Sequence, residues 1–276
     1  MFRTILVHAD GSKDASARLS FAISLAKDFD ATLLGIAAAQ PFIPAEIYGA
    51  FATGITDPDY IDYDRKRLTA DFAKQAQSFR EQTEKAGLEA TWRAEFAPTS
   101  DSLVRAAVAA DLVVIGQGRE PALPDMQTAV AGEVALRTGR PVLVVPDGLS
   151  TAKLGNILVA WKNSGEAQRA IADAIPFMKR ANRVTIVSVQ GDKAEGDGGA
   201  ADALGFLVRH GIAAKSEVID AKGGNPGTVI LDHARSTKAD IIVSGAYGHS
   251  RWREWAFGGV TRELLLNAQV PCLFSH

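Results

Sequence analysis

Ile5-Leu6-Val7-His8-Ala9-Asp10-Gly11-Ser12 returns 152 positions on as Ile157-Leu158-Val159-Ala160-Trp161-Lys162-Asn163-Ser164. Each is a short apolar run that stops at a polar turn, the pattern of a buried strand. A second echo lies 129 positions apart, with Ala110-Asp111-Leu112-Val113-Val114-Ile115-Gly116 matched by Ala239-Asp240-Ile241-Ile242-Val243-Ser244-Gly245. A third pair begins at Pro141 and Pro271. A repeat of this length marks two domains, and 276 residues suffice for both. The expected domains are residues 1–148 and 153–276, with Asp147 to Ala152 as a junction too short to let them swing freely. Because the two offsets differ, the first copy is longer in its middle, between about Gln40 and Glu89.

Within the first copy, the apolar run at 4–9 precedes a helical spacing from about Asp14 to Asp28, on which Ala17, Phe21, Ile23, Leu25 and Ala26 fall. A second apolar run follows from Ala31 to Ala37. Unalternating strands separated by helices point to a parallel sheet covered on both faces, joined by right-handed crossovers. From Gln40 to Asp62 the text is rich in Pro, Gly and aromatic residues, an ordered surface excursion rather than a linker. Asp64 to Lys85 carries Leu68, Phe72, Ala76 and Phe79 on one side of a long amphipathic helix that closes at Gly87. A strand at 89–95, a helix from Ser100 to Ala110 opening on a Ser or Asp cap, strands at 112–115 and 142–145 and a helix at about 129–137 complete five strands.

The second copy repeats the order. Strands are expected at 156–161, 183–189, 214–219, 240–244 and 271–274. Helices are expected at 165–180, to Arg209, to Thr237 and at 259–267. The fold class is therefore α/β, two tandem open parallel-sheet domains of Rossmann-like form with about five strands each.

Composition narrows the function. Residues 1–150 hold fifteen basic against twenty acidic side chains, and 151–276 fifteen against twelve, so the halves carry −5 and +3. The second half is the one that favours anions, but no basic stripe of a nucleic-acid binder is present. The single cysteine, Cys272, rules out a disulfide framework or a multi-cysteine metal site. No run reaches the ~20 apolar residues of a membrane span, and the start lacks a secretory h-region. These readings fit a cytoplasmic protein.

After its fourth strand the second copy runs from Gly245 through Gly248, His249, Ser250, Arg251, Trp252, Trp255, Phe257, Gly258, Gly259 and Val260 to Thr261, into a helix. Gly245 and Gly248 would let the main chain approach a ligand without an intervening Cβ, and Gly258 to Thr261 would offer free N–H groups at a helix start. Such a cradle suits an anion, and the tip of a central strand is where open α/β sheets bind ligands.

The spacing of Gly245, Gly248 and Gly258 resembles the universal stress protein family, whose nucleotide-binding members carry Gly-x2-Gly-x9-Gly-(Ser/Thr) after strand four and an Asp after strand one. The resemblance covers nearly the whole chain as a tandem pair. It implies ATP or AMP as the cofactor class, with Gly245, Gly248, Gly258, Gly259, Val260, Thr261, Ala160 and Trp161 around it. It also implies association through the fifth strands, as a pseudo-dimer within the chain or a homodimer. Two departures stand out. The (Ser/Thr) position is Gly259, leaving Thr261 and Ser250 as the nearby hydroxyls, and Lys162 stands where the acid belongs. The first copy keeps Asp10, but its loop from Gly116 to Pro124 breaks the glycine spacing and adds prolines that remove N–H donors. The first domain is not expected to hold ATP in the family manner.

Other residues keep two readings. Lys162 either attracts an anion or is a solvated turn residue, and His249 and Arg251 either touch phosphate or face solvent or a partner. Trp161, Trp252, Trp255 and Phe257 either stack on a base or pin the loop. His8 and Asp10 share one side of a strand, without a nucleophile motif beside them, and the structural reading has Asp10-Gly11 as a turn and Ser12 as the cap of the next helix. His210, His233 and His276 read as surface residues with no metal spacing, and Cys272 as inert core. P-loop, dinucleotide and nucleophile-elbow motifs are absent. The expected function is a stress-response binding or adaptor protein, with a ligand-free protein-interaction scaffold or a weak ATPase as alternatives.

Overall fold

The computed structural model describes residues 1–12, 14–41, 58–117, 131–190, 199–247 and 259–276. Ten strands form one sheet: β1 (Thr4–His8), β2 (Thr32–Ala38), β3 (Ala90–Glu95), β4 (Leu112–Gly116), β5 (Val142–Val145), β6 (Asn156–Trp161), β7 (Arg183–Gln190), β8 (Ala214–Asp220), β9 (Ile241–Gly245) and β10 (Cys272–Ser275). Their spatial order is β3-β2-β1-β4-β5-β10-β9-β6-β7-β8. Every neighbouring pair is parallel except one. The exception is β5 with β10, which run antiparallel with Leu273 opposite Leu143. Two five-stranded parallel half-sheets, one from each sequence repeat, thus meet at a single antiparallel seam.

Eight α-helices among the described residues cover the sheet: α1 (Ala15–Phe29), α2 (Pro58–Ala86), α3 (Thr99–Ala106), α4 (Ala131–Arg137), α5 (Gly165–Met178), α6 (Ala200–Arg209), α7 (Pro226–Thr237) and α8 (Gly259–Asn267). Side chains alternate across a strand, so Ile5 and Val7 face one layer while Leu6 faces the other. The first layer gathers Leu25 of α1, Phe79 of α2, Ala170 of α5 and Leu207 of α6. The second gathers Leu103 of α3, Val134 of α4, Ile230 of α7 and Leu264 of α8. Both cores therefore run continuously through the two repeats. None of the described helices is long and apolar enough to cross a membrane.

Local chemistry sets several helix ends. Asn225 accepts from the Gly227 N–H ahead of Pro226, the first residue of α7, and Ser164 accepts from the Ala167 N–H at the start of α5. Two expected caps are replaced. Asp14, not Ser12, holds the N-cap position of α1, and its side chain makes no capping bond. The Ser12 N–H instead donates to Asp10, closing the turn locally. At α3 the cap position falls on Pro98, and the Thr99 hydroxyl donates to the Ala38 carbonyl, tying the helix start to the tip of β2. The longer middle of the first copy is expressed in α2, at 29 residues against 10 for α6. The excursion expected at 40–62 falls largely on residues 42–57, outside the described residues.

The repeats are also joined away from the seam. Phe2 and Phe29 of the first pack on Phe177 of the second, with ring centroids 5.0–5.5 Å apart. The Ala152 N–H donates to Ser24 Oγ, fixing the junction segment on α1. Phe177 is fully buried, so Phe177→Ala should cost about 3–5 kcal/mol through lost burial and the cavity left behind. Urea denaturation followed by far-UV circular dichroism should show the lower midpoint, and an unchanged midpoint would mean that the aromatic trio does not brace the two halves.

Candidate functional site

The residues singled out in the second copy come together at the carboxyl tips of its central strands. Ala160 and Trp161 end β6, where Ala160 is in register with Ser244 of β9 and Trp161 with Ser188 of β7. Trp161 is buried, Lys162 just beyond it is exposed, and Ser188 Oγ is buried with no hydrogen bond among the described residues. Gly245 ends β9 under the first turn of α5. A Cβ there would lie 2.6 Å from the Ala167 nitrogen and 2.8 Å from Glu166 Cβ. Glycine at 245 therefore admits the helix as well as any ligand, a close approach that a side chain would forbid.

Beyond Gly245 the chain turns at Tyr247, which adopts a left-handed φ of 61°. Its N–H donates to Thr261 Oγ1 at 3.3 Å. Thr261, 5% exposed, thus points its hydroxyl back at the loop's own backbone. Burial pushes the Tyr247 phenol up to about 12, so it stays a neutral hydroxyl. Gly259 opens α8, is exposed, and has nothing within 4 Å of where a Cβ would stand. Val260 behind it is half-buried. His276 Nδ1 lies 2.9 Å from the Ala246 carbonyl at the same end of the sheet. Gly248 and Gly258, with His249, Ser250, Arg251, Trp252, Trp255 and Phe257, lie outside the described residues.

The equivalent corner of the first domain is built differently. Arg18, on the buried stripe of α1 with Ala22, Leu25 and Phe29, reaches across the tip of β1. Its Nε donates to the His8 carbonyl at 2.7 Å and its Nη2 to Asp10 Oδ1 at 2.7 Å. A Cβ on Gly116, the last residue of β4, would overlap the guanidinium. His8 is 2% and Arg18 6% exposed. The cleft between β1 and β4 is therefore filled by the domain's own ion pair. Burial, helped by Arg18 and opposed by Asp10, brings the His8 imidazole down to about 4. Burial alone would raise Asp10, but the charges of His8 and Arg18 and the Ser12 N–H outweigh it and hold the carboxyl at about 2.

The repeat offset sets His8, Asp10 and Arg18 against Ala160, Lys162 and Ala170. The plugging side chains are absent from the second copy. Arg18 had escaped the sequence reading. Its signal was a lone base on the apolar stripe of α1, one turn before Ala22, eight residues after an acid. One other residue also differs from expectation: His233 is half-buried with Nε2 3.2 Å from Glu217, rather than a free surface residue. Cys272 lies in the core as expected, fully buried in β10, and burial raises its thiol strongly. The first copy's loop after Gln117 lies outside the described residues.

The pattern of the universal stress protein family matches this chain twice, over residues 1–146 and 153–276. The chain is 34% identical over 55 residues to the stress response protein NhaX of Bacillus subtilis (strain 168). That stretch covers 20% of this chain and 33% of NhaX, so the likeness spans about a third of the relative. A crystal structure of a universal stress protein from Archaeoglobus fulgidus DSM 4304 is similar with a TM-score of 0.69 at 17% identity, covering 99% of this chain and 95% of that one. A functionally unknown protein from Pseudomonas aeruginosa PAO1 is similar with a TM-score of 0.58 at 15% identity, over 99% and 92%. At such identities the shared property is the fold.

The buried histidine gives the first domain a measurable pH response. His8 binds its proton near pH 6.5 when unfolded and near 4 when folded, so the unfolded chain holds more protons between those values. Stability should be fully present above 6.5 and fall as pH drops towards 4, by about 3 kcal/mol. In His8→Ala, which copies the second repeat, urea midpoints measured from pH 7 to 4.5 should lose most of that slope. An undiminished slope would assign it to other groups.

Proposed function

Since the chain belongs to the universal stress protein family, both halves matching its pattern, we propose that it is a cytoplasmic stress-response binding protein whose second domain receives a nucleotide or another phosphate-bearing ligand. The observation that carries this reading is the contrast between the two strand-tip corners. In the first domain Arg18 and Asp10 neutralise one another inside the cleft. In the second, Ala160 and Ala170 leave no such pair, and α8 begins at an exposed glycine, where the first N–H groups of a helix have no intrahelical acceptor. A helix start of this kind attracts anions through its free amides and dipole. Lys162 and the half's net charge of +3 add in the same direction.

ATP and AMP are the ligands to try first, as the glycine spacing suggests. The absence of an acid at 162 removes one acceptor for a base, so affinity should rest on the phosphates. The protein would then act as a sensor or adaptor, with ligand occupancy altering what the second domain presents to a partner. Its single cysteine, buried and unpaired, suits a reducing compartment.

The seam bears on assembly as well. With β5 and β10 paired to each other, the edge that the family resemblance assigns to pairing between chains is consumed within this one. Light scattering should give the mass of a single chain, and a mass of two would require a second surface.

Purified protein should release nucleotide on denaturation, identified by mass spectrometry. At a hundred times Kd, ATP or AMP should raise stability by about 2.7 kcal/mol, a thermal shift of several degrees. Gly248→Val should abolish the shift while the ligand-free melting temperature stays near that of the parent. Protein that emerges empty and shifts with no phosphate compound would overturn this reading in favour of the ligand-free scaffold.

A further inference from the structure

The start of the glycine loop is held by the other domain. Tyr247 leaves β9 in a left-handed conformation, which is unfavourable for a bulky residue and persists only where surroundings enforce it. What enforces it lies partly in the first repeat. The Tyr247 ring packs in the core layer that contains Ala131, Val134 and Ala135 of α4 together with Leu264 of α8. Its hydroxyl sits directly on Gly132 of α4, where a Cβ would overlap it. Gly132 has no left-handed φ that would call for glycine, and it is the second residue of α4, a place where glycine has no intrinsic helical advantage over alanine. Its lack of a side chain is explained by the room that Tyr247 needs.

Two further contacts run in the same place. Gln117 Nε2 at the tip of β4 donates to the Ala268 carbonyl just past α8, and Leu265 of α8 lies 3.5 Å from the position of a Gly132 Cβ. On the second-domain side, the Tyr247 N–H is held by Thr261 in the first turn of α8. One residue therefore joins the α4 surface of the first domain to the tip of β9 and the first turn of α8 in the second.

We propose that Tyr247 is a positioning residue that couples the domains: seated on Gly132 of α4 and hydrogen-bonded to Thr261, it fixes the tip of β9 against the first turn of α8, so the first domain sets how the start of α8 is presented. The first repeat, its own cleft filled by Arg18, thereby serves as the brace for the site in the second. This inference rests on the reading of the α8 start as the ligand-facing end, but its central claim is mechanical and can be read without ligand.

The test is a rescue cycle on the full chain by amide hydrogen exchange with mass spectrometry. Gly132→Ala should speed exchange in peptides covering α8, Gly259–Asn267, by about tenfold or more, because the added methyl displaces the tyrosine and its Thr261 contact while α4 itself gains helix propensity. Tyr247→Phe removes the overlapping oxygen, and the nearest remaining ring atom lies 3.2 Å from the Cβ position. In the double variant Gly132→Ala/Tyr247→Phe, exchange should return to within about threefold of Tyr247→Phe alone, the signature of a direct pair. Leu136→Ala, on the same helix but partly exposed, should leave these peptides unchanged. If Gly132→Ala yields no folded protein, recovery of folded material in the double variant is the same rescue. Equal acceleration in both backgrounds, or none in either, would overturn the coupling. Such a result would leave the ligand reading to the ATP and AMP thermal shifts, which fail or succeed independently of it.

Discussion

Leu143 opposite Leu273, flanked by Val142 opposite Phe274 and Val144 opposite Cys272, is the contact on which this molecule is organised. A parallel half-sheet has two edges, and an apolar edge strand left open would seek another chain. Here each half closes the inner edge of the other, and all six of these residues are buried. The antiparallel sense of the seam relates the repeats by an approximate two-fold. It brings α4 beside α8 and α1 beside α5, so each layer of helices continues across both domains. Among the described residues the edges left without a neighbouring strand are β3 and β8, whose residues are a mixture of partly buried and exposed, as strands with one wet side should be.

Once both halves share a core, they need not keep the same site. The first has turned its strand-tip corner into structure. Arg18 satisfies a backbone carbonyl and a carboxylate from a position where water is scarce. A buried pair of this kind contributes little net stability but is costly to break, since either partner alone would be an uncompensated charge. That makes the plug self-enforcing: Asp10, the residue that resembles the family's ligand-facing acid, is engaged with Arg18, His8 and the Ser12 N–H. The second half keeps alanines at two of the three matching positions, and its helix start at Gly259 stays accessible.

The division of labour this suggests is physical rather than symmetrical. One domain has its β1–β4 corner filled by Arg18 and Asp10, and the other carries the exposed helix start. Tyr247, in an unfavourable backbone conformation, lies between them. A tandem chain can use its spare copy as scaffold because the seam, the aromatic trio of Phe2, Phe29 and Phe177, and the α4–α8 contact all bear on the same pair of halves.

The order and type of the elements were legible in the residues alone, since apolar runs and helical spacings are local and the repeat supplied each half as a check on the other. The glycine spacing from Gly245 and the loss of the acid at 162 were equally plain. What the residues did not disclose were contacts whose partners have no periodic relation. Arg18 meets Asp10 only because the turn after β1 folds α1 back across the strand tip, and the cap positions fell on Asp14 and Pro98, beside a Ser12 N–H that donates to Asp10 and a Thr99 hydroxyl that donates to Ala38. The sense of the β5–β10 pairing and the seat of Tyr247 on Gly132 were decided by tertiary structure, because both depend on how two separately coded cores pack against each other, and no run of sequence spans that junction.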